Sequence, residues 1–512
     1  MRARELTDTA LAATVAAILA IVWWFPQFPT TDGPSHLYNA EIVRQYLVGR
    51  GPQLLFFDVS VLPFPNWSGH ALLVCFLAAL SPATAERMLV SVYFLAWAIA
   101  VRAYLRSTGA WTPTAAVFGM ILAINLPLLM GFYNFCLGVV GYLVTSSLVW
   151  KGHPRTWSQA GVLAIVLAAT YISHLLPFIA SLSTMAWVWL VGPRNQPRAG
   201  LAKMLVAALP GLALMLWYVV YTRTSPSSAE LSRQLRRSSG NGLNWQALQC
   251  LWYGTTAQGG LAIGALTAWV ALIVSALWSR PRGEWRLTAR DWTTVVAISA
   301  TPIVASVLVP VRYDELFVAS RLSLLGLVTG IGAMRSPASV AVRMLNGIVV
   351  GVVAVATVLT FADYERRSND ARAAHLFAQE SIGEGRSVMP LVNWRPTFRV
   401  DTMSHAEGYF AAAGNQIDFG NYEVEHDYFP VRFRGTVERP SKIYGKPLES
   451  ADYLDVARKV DAVLVWGASP KALTVDGAFR KALECGAAQV YLSNLRALER
   501  EAAVPIRSQC PF

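Results

Sequence analysis

The 512-residue chain is 54% hydrophobic and only 14% charged, with 18 Trp and a mean hydropathy of +0.40. These values exclude an ordinary soluble globular protein and indicate an integral membrane protein. The formal charge is +12, but Lys and Arg are scattered over short loops between apolar runs and form no basic face, which excludes a nucleic-acid partner.

The first apolar run, TALAATVAAILAIVWWFPQF, reaches the roughly 20 residues that a bilayer crossing takes. It is too long for the apolar core of a signal peptide and ends without a small-x-small cleavage pattern, so it is expected to stay as the first membrane helix. Apolar runs predict further spans near 84–105, 112–130, 133–150, 156–173, 175–191, 201–221, 259–279, 292–311, 315–334 and 340–361. SGHALLVCFLAAL, 68–80, is short and bounded by Pro65 and Pro82, and reads as a re-entrant or half-buried helix. The expected fold class is a polytopic α-helical membrane protein of about 11 transmembrane helices with a C-terminal soluble α/β domain. The expected division is a membrane module over 1–361 and a separate domain over 362–512.

Basic residues mark cytoplasmic loops. With the N-terminus inside, one side collects Arg2, Arg4, Arg102, Arg106, Lys151, Arg155, Arg194, Arg198, Lys203, Arg280, Arg282, Arg286, Arg290, Arg335 and Arg343. The outer face then carries the loop with Asp32, the GFYNF turn, the ISHLLP turn, the loop 222–258, the VRYDELFVASR turn and the C-terminal domain. The expected location is the cell inner (plasma) membrane, multi-pass, with a cytoplasmic N-terminus and an extracytoplasmic C-terminal domain.

The outer loop 29–66 opens with TTDGPSHLYNAEIV, which sets Asp32 and His36 on one side of a first helical turn. Two readings of Asp32 stand: a helix cap, favoured by the following Pro, or an acid presented at the membrane surface. LYNAEIVRQYLV places Leu37, Ile42, Tyr46 and Leu47 on one stripe and Glu41, Arg44 and Gln45 opposite, as in an interfacial helix. His174 in YISHLLPF and Asn134 in GFYNFCLG lie at or near membrane depth. Each is either satisfied locally or faces a substrate or water-filled cavity. Arg312 and Arg321 flank Asp314 and Glu315, and form either a local ion pair or a phosphate clamp. The Ser/Gly/Arg-rich loop 222–258, with Arg233, Arg236 and Arg237, is expected to be flexible and reads as a lid or as plain disorder.

From Tyr364 onward a helical stretch, YERRSNDARAAHLFAQESI, precedes the strand-like runs SVMPLV and DAVLVWG, as in a small α/β unit. It carries neither GxGxxG nor GxxxxGK[ST], so nucleotide binding has no support. The tract IDFGNYEVEHDYFPVRF is aromatic and acidic, and serves either packing or a sugar-binding lip. Cys75, Cys136 and Cys250 read as small core residues, while Cys485 and Cys510 are a candidate disulfide in an exported domain.

TTDGPSHLYNAEIV after helix one, GFYNFCLG, YISHLLPF and an arginine-bearing outer turn before a late helix together resemble the GT-C superfamily of membrane glycosyltransferases. The resemblance covers roughly residues 1–361 and is one of layout. It implies a polyprenyl-phosphate sugar donor and would make Asp32 the catalytic acidic residue. The family commonly shows a second acid in that loop. Here Gly33 follows Asp32, so a cation, Mg2+ or Mn2+, would have Asp32 alone as its obvious carboxylate.

Glycosyl transfer of this kind needs a base for the acceptor hydroxyl and positive charge for the departing phosphate. Asp32 is the candidate base. His36, Asn134 and His174 are candidates for orienting substrate, and Arg312, Arg321, Arg236 and Arg237 for holding phosphate. The acceptor is a lipid, a glycan or a protein. The rival readings are a transporter or flippase of lipid-linked saccharides and a non-enzymatic envelope assembly protein.

Overall fold

The computed structural model describes residues 2–152, 154–191, 198–224, 244, 247, 249–278, 288–309, 317–335, 337, 339–393, 398–426, 429–440, 450–474 and 477–497. Arg312, Arg236, Arg237, Asp314, Glu315, Cys510 and most of the loop 222–258 lie outside the described residues. In chain order the helices are α1 (Arg2–Trp24), α2 (Gly33–Val48), α3 (Ser68–Leu77), α4 (Pro82–Thr108), α5 (Pro113–Ile121), α6 (Leu126–Leu129), α7 (Tyr133–Trp150), α8 (Trp157–Ser173), α9 (Leu175–Val191), α10 (Arg198–Thr224), α11 (Thr256–Trp278), α12 (Ala289–Leu308), α13 (Val318–Gly330), α14 (Val340–Glu380), α15 (Ala406–Ala413) and α16 (Ser450–Lys459). The strands are β1 (Phe57–Val59), β2 (Ser387–Asn393), β3 (Ile417–Asp418), β4 (Val431–Phe433), β5 (Ala462–Gly467), β6 (Phe479–Cys485) and β7 (Ala488–Ser493).

These elements form two compact units interleaved in sequence. One comprises Met1–Trp24, Pro63–Gly69 and Val90–Asp363, the other Phe25–Leu62, His70–Leu89 and Tyr364–Phe512. The loop that carries Asp32 is therefore part of the same unit as the C-terminal residues.

The first unit is helical. Among the described residues α1, α4, α7, α10, α11, α12 and α14 are long and apolar enough to cross a membrane. Four shorter apolar segments, Pro113–Leu129, Trp157–Ser173, Leu175–Val191 and Val318–Ala333, coincide with the remaining expected spans. Side-chain caps set several starts: Thr112 accepts from Ala115 N, and Thr156/Gln159 and Thr288/Asp291 close capping boxes. The span expected at 112–130 is not one helix. Asn125 accepts from Leu128 N with Pro127 just behind it, so the chain restarts as α6. α12 and α13 touch at Gly326, where a Cβ would stand 2.5 Å from the Ser299 carbonyl oxygen; only glycine admits that approach. Along α14, Met344, Ile348, Val352, Val355 and Leu359 form an exposed stripe, the surface of a helix that faces lipid.

α14 is one unbroken helix of 41 residues, about 60 Å long. The expected boundary near Phe361 carries no break, because TFADYERRSND holds neither Gly nor Pro. α3 spans ten residues, too short for a crossing.

The second unit is built on a five-stranded sheet, order β3-β2-β5-β7-β6, with β3, β2 and β5 parallel and β7 and β6 antiparallel. The expected runs SVMPLV and DAVLVWG are β2 and β5, adjacent interior strands of the sheet. β5 is buried on both faces. Val463 and Val465 pack with Tyr453 and Val456 of α16, whereas Ala462, Leu464 and Trp466 pack with Ala378 near the end of α14 and Ile382 just beyond it, which explains a continuous apolar run in place of alternation. β1 pairs with β4, Phe57 opposite Phe433, tying the loop after α1 to the C-terminal segment. Cys485 is disulfide-bonded.

The polar and apolar stripes expected on α2 are not what the fold uses. Glu41 and Gln45 are buried beside Leu37 and Ile42, while Tyr46 and Leu47 are exposed. The buried polar groups satisfy one another: Arg44 donates to both Glu41 oxygens at 2.7 Å, and Gln45 donates to Glu41 and to Asn415.

Candidate active site

The second unit gathers Asp32, His36, His70, His405, Tyr422 and Glu423. The segment before α2 is held by the end of α14: Asn369 bonds the Gln27 carbonyl at 3.1 Å, Tyr364 the Pro29 carbonyl at 2.8 Å, and Arg372 the Thr30 carbonyl at 2.6 Å. Pro34 opens α2 with its preset φ. Asp32 occupies the N-cap position without a side-chain capping bond; Thr30 Oγ1 instead accepts from Gly33 N at 3.1 Å. The Asp32 carbonyl accepts from His36 N at 3.1 Å, placing the two residues one turn apart as expected.

Asp32 is half-buried. Burial pushes its carboxyl above the usual carboxylate range, while His405, His36 and a hydrogen bond with Tyr422 work against that rise. His405 adopts a left-handed conformation, φ 62°, at the start of α15, and its ring lies 4.4 Å from that of Tyr422. Burial disfavours its charged form, but Glu407, Asp32 and Asp418 outweigh burial and raise its pKa. α15 comes close because Gly408 lies on the first turn of α2, where a Cβ would stand 2.8 Å from the Pro34 carbonyl oxygen.

His36 Nδ1 lies 2.6 Å from Glu423 Oε1, and His70 Nε2 lies 3.4 Å from Glu423 Oε2. All three residues are buried. Burial disfavours the charged His36 imidazole, yet Glu423, with Asp32 and Glu86, raises its pKa. Burial likewise pushes Glu423 up, and His36 and His70 outweigh it, holding the carboxyl at about 2. Asn39 Nδ2 donates to Glu423 Oε2, and Asn421 donates to Asn39 Oδ1 at 2.7 Å. Among the described residues, the group of donors able to hold a metal ion is His36, His70 and Glu423, whose ligand atoms lie within 4.8 Å of one another. Asp32 is not among them.

The first unit brings other candidates together. His174 ends α8, its Nδ1 accepting from Leu176 N at 3.1 Å and its Nε2 3.3 Å from Arg321 Nη1. The Arg321 guanidinium lies 3.9 Å from the Phe132 ring centroid and 5.7 Å from that of Phe135, a cation–π arrangement. Asn134 does not cap α7; its Oδ1 accepts from Gly69 N at 2.6 Å. Arg312, Arg236 and Arg237 lie outside the described residues.

Sequence reading missed His70, His405, Tyr422 and Glu423. For Glu423 and Tyr422 the signal was the acidic, aromatic tract 417–433. For His70 it was an imidazole opening an apolar helix too short to span.

No family model matches the chain, and no curated protein matches it in sequence. Solved structures do match. The crystal structure of ArnT from Cupriavidus metallidurans in the apo state superposes with a TM-score of 0.53 at 12% identity, and that of ArnT bound to undecaprenyl phosphate with 0.52 at 13%. Each match covers 94% of this chain and 97% of that one. The cryo-EM structure of arabinofuranosyltransferase AftD from Mycobacteria matches with a TM-score of 0.51 at 14% identity, over 94% of this chain but 40% of that one. ArnT and AftD are GT-C superfamily glycosyltransferases, and this chain has a GT-C-like fold.

Proposed function

We propose that the protein is an integral membrane glycosyltransferase that moves a hexosyl or pentosyl unit from a polyprenyl-phosphate donor to a lipid, glycan or protein acceptor on the outer face of the membrane. The observation that carries this reading is the Asp32 carboxylate: it makes no helix-capping bond, and it sits half-buried near His36 and His405. The fold is shared with a protein crystallised with undecaprenyl phosphate. The loop charges favour a cytoplasmic N-terminus, an extracytoplasmic C-terminal domain and the plasma membrane.

In this reading Asp32 takes the proton of the acceptor hydroxyl. The acceptor oxygen bonds to the anomeric carbon with inversion, the bond from that carbon to the phosphate oxygen breaks, and polyprenyl phosphate leaves with the electron pair. The leaving phosphate needs a cation that binds by planar, paired donors, for which Arg321 beside His174 is the candidate.

The test is transfer of radiolabelled sugar from a panel of polyprenyl-phosphate donors in membranes containing wild-type or Asp32→Asn protein. Label incorporated by wild type and lost in Asp32→Asn is the expected result. Equal transfer by both removes Asp32 from the chemistry, and lipid-linked saccharide crossing the bilayer without transfer favours a flippase.

A further inference from the structure

We infer that His36, His70 and Glu423 form a zinc site in the second unit, with two imidazole nitrogens and one carboxylate as ligands. The donor set decides the metal: imidazole suits late first-row ions such as Zn2+, whereas Mg2+ and Ca2+ take oxygen ligands. The three side chains come from α2, the first turn of α3 and the short helix Tyr422–Glu425, and bring their ligand atoms within 4.8 Å of one another. Tetrahedral bonds of about 2.0–2.1 Å set donor atoms about 3.3 Å apart. His70 Nε2 is 3.4 Å from Glu423 Oε2 and His36 Nδ1 is 2.6 Å from Glu423 Oε1, so each imidazole faces one oxygen of the carboxylate, and the three donors lie within 4.8 Å of one another.

The surroundings are those of a ligand set held in place. Asn39 donates to Glu423 Oε2, Asn421 donates to Asn39, and the Asn421 side chain accepts from Glu423 N at 3.3 Å, so the carboxylate is oriented by a chain of amides. Phe429 packs against both imidazoles, with ring centroids 5.8 and 6.0 Å away. Three protein ligands leave one position of a tetrahedral shell for a non-protein ligand such as water. An ion here would clamp the first turn of α2, and with it Asp32, to the segment after β3.

The experiment is metal analysis of the full chain, purified in detergent through a tag without histidines. Wild type is expected to carry about one zinc per chain, and Glu423→Gln and His70→Gln less than about a tenth of that. Asn39→Ala keeps all three ligands and is expected to bind zinc about 10–100-fold more weakly in a chelator competition. A zinc-free wild type that takes up none on titration with Zn2+ overturns the site, as does Glu423→Gln retaining full zinc or a wild type that selects Mg2+ over Zn2+. If the variants fail to fold, the wild-type titration still decides. None of these measurements needs a sugar donor, so the zinc site stands or falls apart from the transferase reading.

Discussion

His36 Nδ1 lies 2.6 Å from Glu423 Oε1, joining α2 to a residue far along the chain, with both side chains buried. A buried pair of this kind contributes little against hydrophobic isosteres, but removing one partner strands the other. Glu423→Ala is expected to destabilise the second unit by about 3–5 kcal/mol. Thermal unfolding in detergent checks this, and a transition unmoved from wild type would mean that the pair is not a structural clamp.

Two readings of Asp32 compete, a helix cap and a base, and its side chain makes no capping bond. Because Thr30 makes the bond to Gly33 N, Thr30→Ala is expected to cost about 0.5–2 kcal/mol. Asp32→Asn is expected to leave the unfolding temperature near wild type while lowering transfer about 10²–10⁴-fold. Measuring both quantities on both variants separates a base from a cap. A destabilised Asp32→Asn with normal turnover would return Asp32 to the capping role.

Gly408 sets how near His405 and Glu407 come to the start of α2. A methyl group there meets the Pro34 carbonyl oxygen at 2.8 Å and Ser35 N at 3.2 Å, and backbone cannot yield as a flexible side chain does. Gly408→Ala is expected to destabilise by about 1–3 kcal/mol and to lower transfer as α15 moves away. Unchanged stability and activity would show that the contact does not position the site.

Arg321 stacks on Phe132 and reaches His174. Lysine keeps the charge but loses the planar fork and the stack. Arg321→Lys is therefore expected to weaken binding of undecaprenyl phosphate by about tenfold or more, roughly 1.4 kcal/mol, with the fold intact. Equal binding by Arg321→Lys and wild type would remove Arg321 as a phosphate ligand.

How much of this was legible in advance differs by element. The apolar runs behind α1, α7, α10 and α14 were readable because lipid cannot hydrogen-bond backbone, so each crossing must satisfy itself locally and announces itself by length and composition. The strands SVMPLV and DAVLVWG were readable for a related reason, since two buried faces demand an unbroken apolar run. The break between α5 and α6 was carried by Asn125 and Pro127 but hidden by apolar neighbours.

The sequence by itself determined a helical membrane protein with a C-terminal α/β segment, and the turn that pairs Asp32 with His36, since both follow from interactions between residues close in the chain. Only the tertiary structure decided that the loop after α1 folds with the C-terminal segment, that Glu41 and Gln45 are buried on α2, and that Glu423 faces His36 and His70. Those outcomes rest on partners far apart in sequence, and a buried charge shows its meaning only when the group that compensates it is in place.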